Sequence, residues 1–196
     1  MKAIDRNFTK IINGTTQFII PVFQRDYSWT EANCDQLWRD IMKVAAAPSD
    51  RGHFLGPVVY IPTGASTAGF TQWMLIDGQQ RVTTLILLLT ALRDHITETG
   101  WEGSEDGPTG RRVESDFLKN LQERGSRQHK LVLRRHDQAT LRALLDSTEL
   151  PDPPSDRIRD NYDFFRERLR AADPEVVYRG IGRLVVVDVT GNSKIN

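Results

Sequence analysis

In the stretch LIDGQQRVTTLILLL, residues 75 to 89, five polar residues stand between two apolar runs. Placing an acid, two amides and a guanidinium there is costly unless their polar groups meet partners. Asp77, Gly78, Gln79, Gln80 and Arg81 sit where a strand-like segment gives way to a helical one. The first N–H groups of a helix have no internal partner, and the macrodipole adds roughly half a positive charge, so the junction suits phosphate or another anion. Gly78 admits a close backbone approach. Arg81 presents a planar fork of donors to phosphate oxygens, and Gln79 and Gln80 can donate to phosphate or orient water. Asp77, itself an anion, must act differently, by capping the helix, fixing Arg81, or holding a divalent cation beside a triphosphate. A purely structural account makes Asp77 an N-cap, Gly78 a tight turn and Arg81 a surface ion pair; it explains the Asp and Gly better than the amides and the Arg.

A second group lies in IIPVFQRDYSW, residues 19 to 29. Gln24, Arg25 and Asp26 are interleaved with Phe23, Tyr27 and Trp29, a composition that grips nucleotides or unpaired bases and equally one that fills a core. In HFLGPVV, Gly56-Pro57 interrupts a strand, because Pro cannot pair on that side and Gly permits close approach. His53 at its edge is a candidate phosphate ligand or acid–base group. The sequence contains no GxxxxGK[ST] loop, no GxGxxG, and no Cys/His zinc spacing.

The elements that must position these groups follow from periodicity. Residues 5 to 13 predict a short helix, and 17 to 23 a strand that bends at Pro21. Ser28 and Glu31 have capping-box spacing, opening a helix that puts Cys34, Leu37, Trp38, Ile41 and Val44 on one face and ends near residues 47 to 50. HFLGPVVYIP and FTQWMLID read as a hairpin around TGASTAG, residues 63 to 69. From Gln79 to about Thr97 a helix is expected, apolar around its whole circumference and therefore buried. GWEGSEDGPTG, residues 100 to 110, predicts a loop or subdomain boundary. Beyond it, 111 to 123 reads as helix, KLVLRR as strand, QATLRALLD as helix, PDPPSD as a rigid loop, 157 to 172 as a charged helix and RLVVVDV as a final strand. A strand so close to the end of the chain points to a longer parent protein. The expected fold is α+β, with residues 1–99 a sheet-containing core, 100–110 a loop and 111–196 a more helical basic region returning to the core sheet.

The 196 residues are 39% apolar and 27% charged, values of an ordinary globular protein. No apolar run approaches the roughly 20 residues of a membrane span and the N-terminus has no signal core, so a cytoplasmic protein is expected. One cysteine, Cys34, cannot form an internal disulfide or a thiol metal site and reads as a small core residue. The formal charge is zero, which removes any argument for nucleic-acid binding from bulk electrostatics. Residues 111 to 142 nevertheless carry nine Lys or Arg against four Asp or Glu, whether as solvated helix faces or as a local phosphate-binding stretch.

IPVFQRDYSW, then FLGPVVY, then LIDGQQRVTTL with its leucine-rich helix, resembles the N-terminal DGQQR-motif domain of GmrSD-type modification-dependent restriction enzymes and SspE-type phosphorothioate-sensing anti-phage proteins. The motifs cover about residues 5 to 96; from there to 190 the likeness is topological. The resemblance implies a mixed sheet similar to ParB and sulfiredoxin with packed helices, Mg²⁺-dependent hydrolysis of GTP or ATP at the DGQQR box, and an HNH-type nuclease in a further C-terminal domain. Asp77, Gly78, Gln79, Gln80 and Arg81 would then form the nucleotide box, with Asp77 placing Mg²⁺ and Gln24 and Arg25 facing it. Modified DNA would be the partner. Because sulfur is larger and a poorer acceptor than oxygen, a phosphorothioate sensor needs an apolar notch beside its donors, for which Tyr27, Pro57 and Val58 are the candidates, near the basic and amide groups of Gln24, Arg25 and His53. Arg111, Arg112, Lys130, Arg134 and Arg135 would hold the DNA backbone. A wider polar pocket would suit a glucosylated base instead. Two competing readings are a non-catalytic module that grips a DNA phosphate and a ParB-like nuclease.

Overall fold

The structure is a computed structural model that describes residues 2–48 and 52–190. Its elements in chain order are β1 (Lys2–Asn7), α1 (Phe8–Ile12), β2 (Thr16–Ile19), α2 (Glu31–Ala46), β3 (His53–Pro62), β4 (Thr71–Asp77), α3 (Gln79–Thr99), α4 (Gly110–Val113), β5 (Leu131–Val132), α5 (Arg135–Asp146), α6 (Asp156–Leu169), α7 (Pro174–Gly182) and β6 (Leu184–Thr190). Among the described residues the strands form one mixed sheet in the order β1-β6-β3-β4-β2-β5, and the fold is α+β. Strands from the second half thus enter the same sheet as those of the first. The hairpin of β3 and β4 is antiparallel, whereas β2 runs parallel to both β4 and β5, and β3 parallel to β6.

The LILLL run forms the middle of α3, and each of its five side chains is buried. A helix apolar on every side must be covered on every side, and α3 packs against α6, α4 and α5. In α2 the face Cys34, Leu37, Trp38, Ile41 and Val44 is buried as its spacing requires. Burial pushes the Cys34 thiol up to about 12, against a hydrogen bond with Tyr27 that lowers it. The thiolate is the reactive form, so iodoacetamide at pH 8 should label the native chain about 10²-fold or more slowly than the urea-unfolded chain; comparable rates would mean that α2 opens readily.

Several boundaries differ from the sequence expectation, among them the early end of β2 at Ile19 and the shortening of KLVLRR to Leu131–Val132. Residues 5 to 7 complete β1, because the β-branched β6 offers them a ladder (Asp5 opposite Val187), and the helix starts only at Phe8. The capping box of α2 is Thr30 with Asn33, two residues after the Ser28–Glu31 pair. The N–H groups of Ser28 and Trp29 both donate to Gln80 Oε1, at 2.9 and 3.2 Å, which keeps that stretch extended. After α4 the chain makes a π-helical turn, Glu114–Leu118, and leaves the helix there, since Asn120 reaches back to Thr16 and Arg127 carbonyls at 2.9 Å each. The unexpected helix is α7: Asp173 caps it through Glu175 N–H at 2.9 Å and Pro174 opens it, both readable signals. Residues 49 to 51 and 191 to 196, including nearly all of the terminal TGNSKIN, lie outside the described residues.

Candidate functional site

Parallel β2, β4 and β5 bring their C-terminal ends to one end of the sheet, where antiparallel β3 begins; ligands of such sheets collect at strand C-termini. There Gln24, Arg25, Trp29, Asp77, Gly78, Gln79, Gln80 and Arg81 enclose a cleft of about 180 Å³. That is below the roughly 300–1,000 Å³ of pockets enclosing a whole drug-sized ligand, and of a size for phosphate groups with the rest of a nucleotide outside.

The two amides do structural work first. Gln80 donates to Asp26 O at 3.2 Å and accepts from Ser28 and Trp29, and Gln79 donates to Arg25 O at 3.2 Å. Gln24 donates to Ile76 O at 2.8 Å, and Arg134 donates to Gln24 O at 2.6 Å. The 24–29 loop is therefore pinned across the start of α3. Gln80 Oε1 already accepts two backbone N–H groups and has no lone pair left for a water. Gln79 keeps one buried acceptor, Oε1, without a partner.

Arg81 lies over Gly56: a Cβ there would stand 3.1 Å from the guanidinium carbon, and the backbone has φ +110°, a left-handed value that favours glycine. The close approach that Gly56 permits is thus that of Arg81 itself, which donates to Pro57 O at 2.7 Å. Gly78, at φ +89°, turns the chain from strand into helix; a Cβ would stand 3.0 Å from Pro57 O. Gly78 and not Asp77 occupies the N-cap position, without a side-chain cap, so the first N–H groups of α3 are left to water or a ligand. Asp77 is exposed and accepts from Gly78 N–H through Oδ1 at 2.7 Å. Its other oxygen is open. No group of three or more His, Cys, Asp or Glu capable of holding a metal occurs among the described residues. One carboxylate suits Mg²⁺ only in its usual manner, shared with substrate phosphates and water.

The proposed notch does not assemble. Tyr27 and Val58 are buried, 7% and 1% exposed, and offer no surface to DNA. The Tyr27 hydroxyl is held between Thr84 Oγ1 at 2.7 Å and Asn161 Nδ2 at 2.8 Å, and burial raises its pKa. Of the three notch residues Pro57 alone is exposed, and His53, expected beside the notch, pairs with Asp40 at 3.4 Å. The basic stretch is likewise dispersed. Arg111 and Arg112 lie on α4 against the far end of α3, where Gly110 abuts Arg93 and Thr97, about 20 Å or more along the helix from Gln79. Lys130 is 1% exposed, with its ammonium on the Ile12 and Gly14 carbonyls. It cannot reach a DNA phosphate. Arg134, paired with Asp26 at 3.2 Å, and exposed Arg135 stand at the start of α5 beside the cleft.

Burial lowers the Lys130 pKa to about 8, the Asp116 charge opposing it. Below pH 8 the ammonium is charged in both folded and unfolded chains and its burial cost is fully present. As pH rises from 8 towards 10.5 the unfolded chain holds more protons, so this group adds stability on the order of 2–3 kcal/mol across that window. Urea denaturation at pH 7.5 and 10 should show the gain in the native chain and not in Lys130→Met; an equal gain in both would assign it elsewhere.

Sequence reading passed over the groups that fix the loop from behind. Buried Asp137 accepts from Tyr27 N–H at 2.9 Å and from Ser155 Oγ at 2.7 Å, while Asn161 donates to Trp29 O at 2.8 Å. Their signal was polarity at buried helical positions, which periodicity alone does not separate from a solvated face. Trp29, noted only as one of several aromatics, lines the cleft.

The fold is a mixed α+β sheet whose strand ends and buried helix hold an amide- and arginine-lined cleft. More particularly, the chain belongs to the GmrSD restriction endonuclease N-terminal domain family, whose model matches residues 8–189. It is a restriction-enzyme module. Comparison with curated proteins finds no match. No helix among the described residues is long and apolar enough to cross a membrane.

Proposed function

We propose that this chain is the sensing module of an anti-phage restriction protein, binding modified DNA, with phosphorothioate as the leading modification, and coupling recognition to hydrolysis of GTP or ATP. The observation that carries the reading is the cleft itself, in which Arg81, Arg25 and the open N-terminus of α3 converge on a space of phosphate size. Arg81 and the helix N–H groups neutralise the phosphates, Asp77 would hold Mg²⁺, and Gln79 Oε1 is the atom suited to orient a water. When bound, Mg²⁺ would supply charge neutralisation at the phosphates. Positioning and charge stabilisation carry most phosphoryl transfer, so this set is sufficient in kind. Gln80 acts by holding the loop that bears Arg25 and Trp29. An HNH-type nuclease domain in the full protein would cut the DNA once hydrolysis reports recognition.

The engagement of both amides with loop carbonyls favours a second reading, in which the cleft grips a DNA phosphate and turns nothing over. Phosphate release from the four NTPs, alone and with plain, phosphorothioate or glucosylated duplex, decides between them. Release stimulated by phosphorothioate DNA supports the first reading; DNA binding indifferent to NTP and Mg²⁺ supports the second, and stimulation by glucosylated DNA alone reassigns the modification.

A further inference from the structure

Immediately before Gln24 the chain makes a tight turn, closed by Gln24 N–H to Pro21 O at 3.1 Å, whose two tip residues are apolar. Val22 is 83% exposed and Phe23 72%. Other exposed apolar side chains, Phe54 and Leu121, stand singly, as is normal on a protein surface. This pair is different because its base is rigid. Ile20 N–H bonds to Val132 O at 2.9 Å, the Gln24 side chain to Ile76 O, and Arg134 to Gln24 O, so both arms of the turn are fixed to the sheet. Basic side chains flank it: exposed Arg25, exposed Arg135 and His136 in the first turn of α5, and Arg134, against the carboxylates of Asp26 and Asp77.

A stiff apolar tip among arginines matches the wedges with which proteins enter duplex DNA, where a side chain separates a base step and cations hold the adjoining phosphates. Resting on the DNA reading above, we propose that Val22 and Phe23 insert at a base step of the bound duplex while Arg25, Arg135 and His136 contact the flanking backbone. The wedge would hold the backbone phosphate next to the opened step at the cleft mouth, where a sulfur-for-oxygen exchange is presented to Gln24 and Arg25. Recognition is then partly a matter of deformability, favouring flexible pyrimidine–purine steps.

The test uses duplexes with 2-aminopurine at each position flanking a phosphorothioate, a base whose fluorescence rises on unstacking. The native chain should raise it at one step. Val22→Ser/Phe23→Ser should abolish the rise and weaken binding about tenfold, whereas Arg135→Ala should keep the rise and reduce the salt dependence of affinity. DNA binding without a rise at any step, or an unchanged rise in the double variant, overturns the wedge and leaves the DNA reading standing. Weaker NTP binding with unchanged DNA binding also overturns it, assigning the tip to the nucleobase of the nucleotide. Failure of the native chain to bind any duplex overturns both.

Discussion

Arg81→Ala should lower phosphate release by about 10²–10³-fold with the fold intact, because it removes a guanidinium that lines the cleft at the open end of α3. Arg81 is partly exposed and among the described residues its one side-chain hydrogen bond is to Pro57 O, so its loss should change stability by less than about 1 kcal/mol. Circular dichroism and a urea midpoint beside the activity assay separate loss of chemistry from loss of fold. Gly56→Ala is the companion variant. The added methyl would stand 3.1 Å from the guanidinium carbon, tighter than an ordinary contact and in a strained left-handed conformation, so the Arg81 guanidinium must shift by a few tenths of an ångström. Activity should fall about tenfold, with nucleotide affinity falling less than turnover, as expected when a charge-stabilising group is misplaced. Full activity in Arg81→Ala would remove the hydrolytic reading of the cleft.

Arg93→Met should destabilise the chain by about 3–5 kcal/mol, the largest stability effect expected here. Arg93 is 5% exposed and donates to Leu145 O at 2.7 Å and Leu144 O at 2.8 Å, the last carbonyls of α5, while pairing with Asp94 at 2.7 Å and Glu114 at 3.5 Å. One guanidinium thus ties α3, the C-terminus of α5 and the π-helical turn. Met keeps the apolar stem but leaves the Leu144 and Leu145 carbonyls without this donor and Asp94 without its cation, while Glu114 keeps Lys119 at 3.1 Å. Urea unfolding should show a midpoint lower by about 1–3 M with an unchanged slope. A loss under about 1 kcal/mol would mean that water reaches those carbonyls and that the junction is wetter than its geometry implies.

What sequence could determine was whatever local rules govern. The burial of α3 follows from LILLL alone, because a helix apolar all round has no solvent face, and the helix start at Gln79 follows from the polar break before it. The hairpin of β3 and β4 followed from β-rich runs around a small loop, and the face of α2 from its 3.6-residue period. Arg81 and the amides were legible as a cluster because five adjacent residues stay adjacent in any fold. Gln24 and Arg25 were placed opposite them by resemblance; parallel pairing of β2 with β4 is what brings them together, a relation between residues more than fifty positions apart.

Tertiary structure alone decided which polar side chains remain available. Gln80 is occupied because Ser28 and Trp29 present their N–H groups to it, Tyr27 is buried because Asn161 and Thr84 reach its hydroxyl, and Lys130 is enclosed because the turn after α1 offers it carbonyls. The same decision undid the basic stretch: Lys130 is buried, Arg111 and Arg112 sit by the far end of α3, and Arg134 and Arg135 stand at the start of α5. Exposure is a property of the packed whole: a side chain's partners come from distant elements, and no spacing rule within one segment reports them.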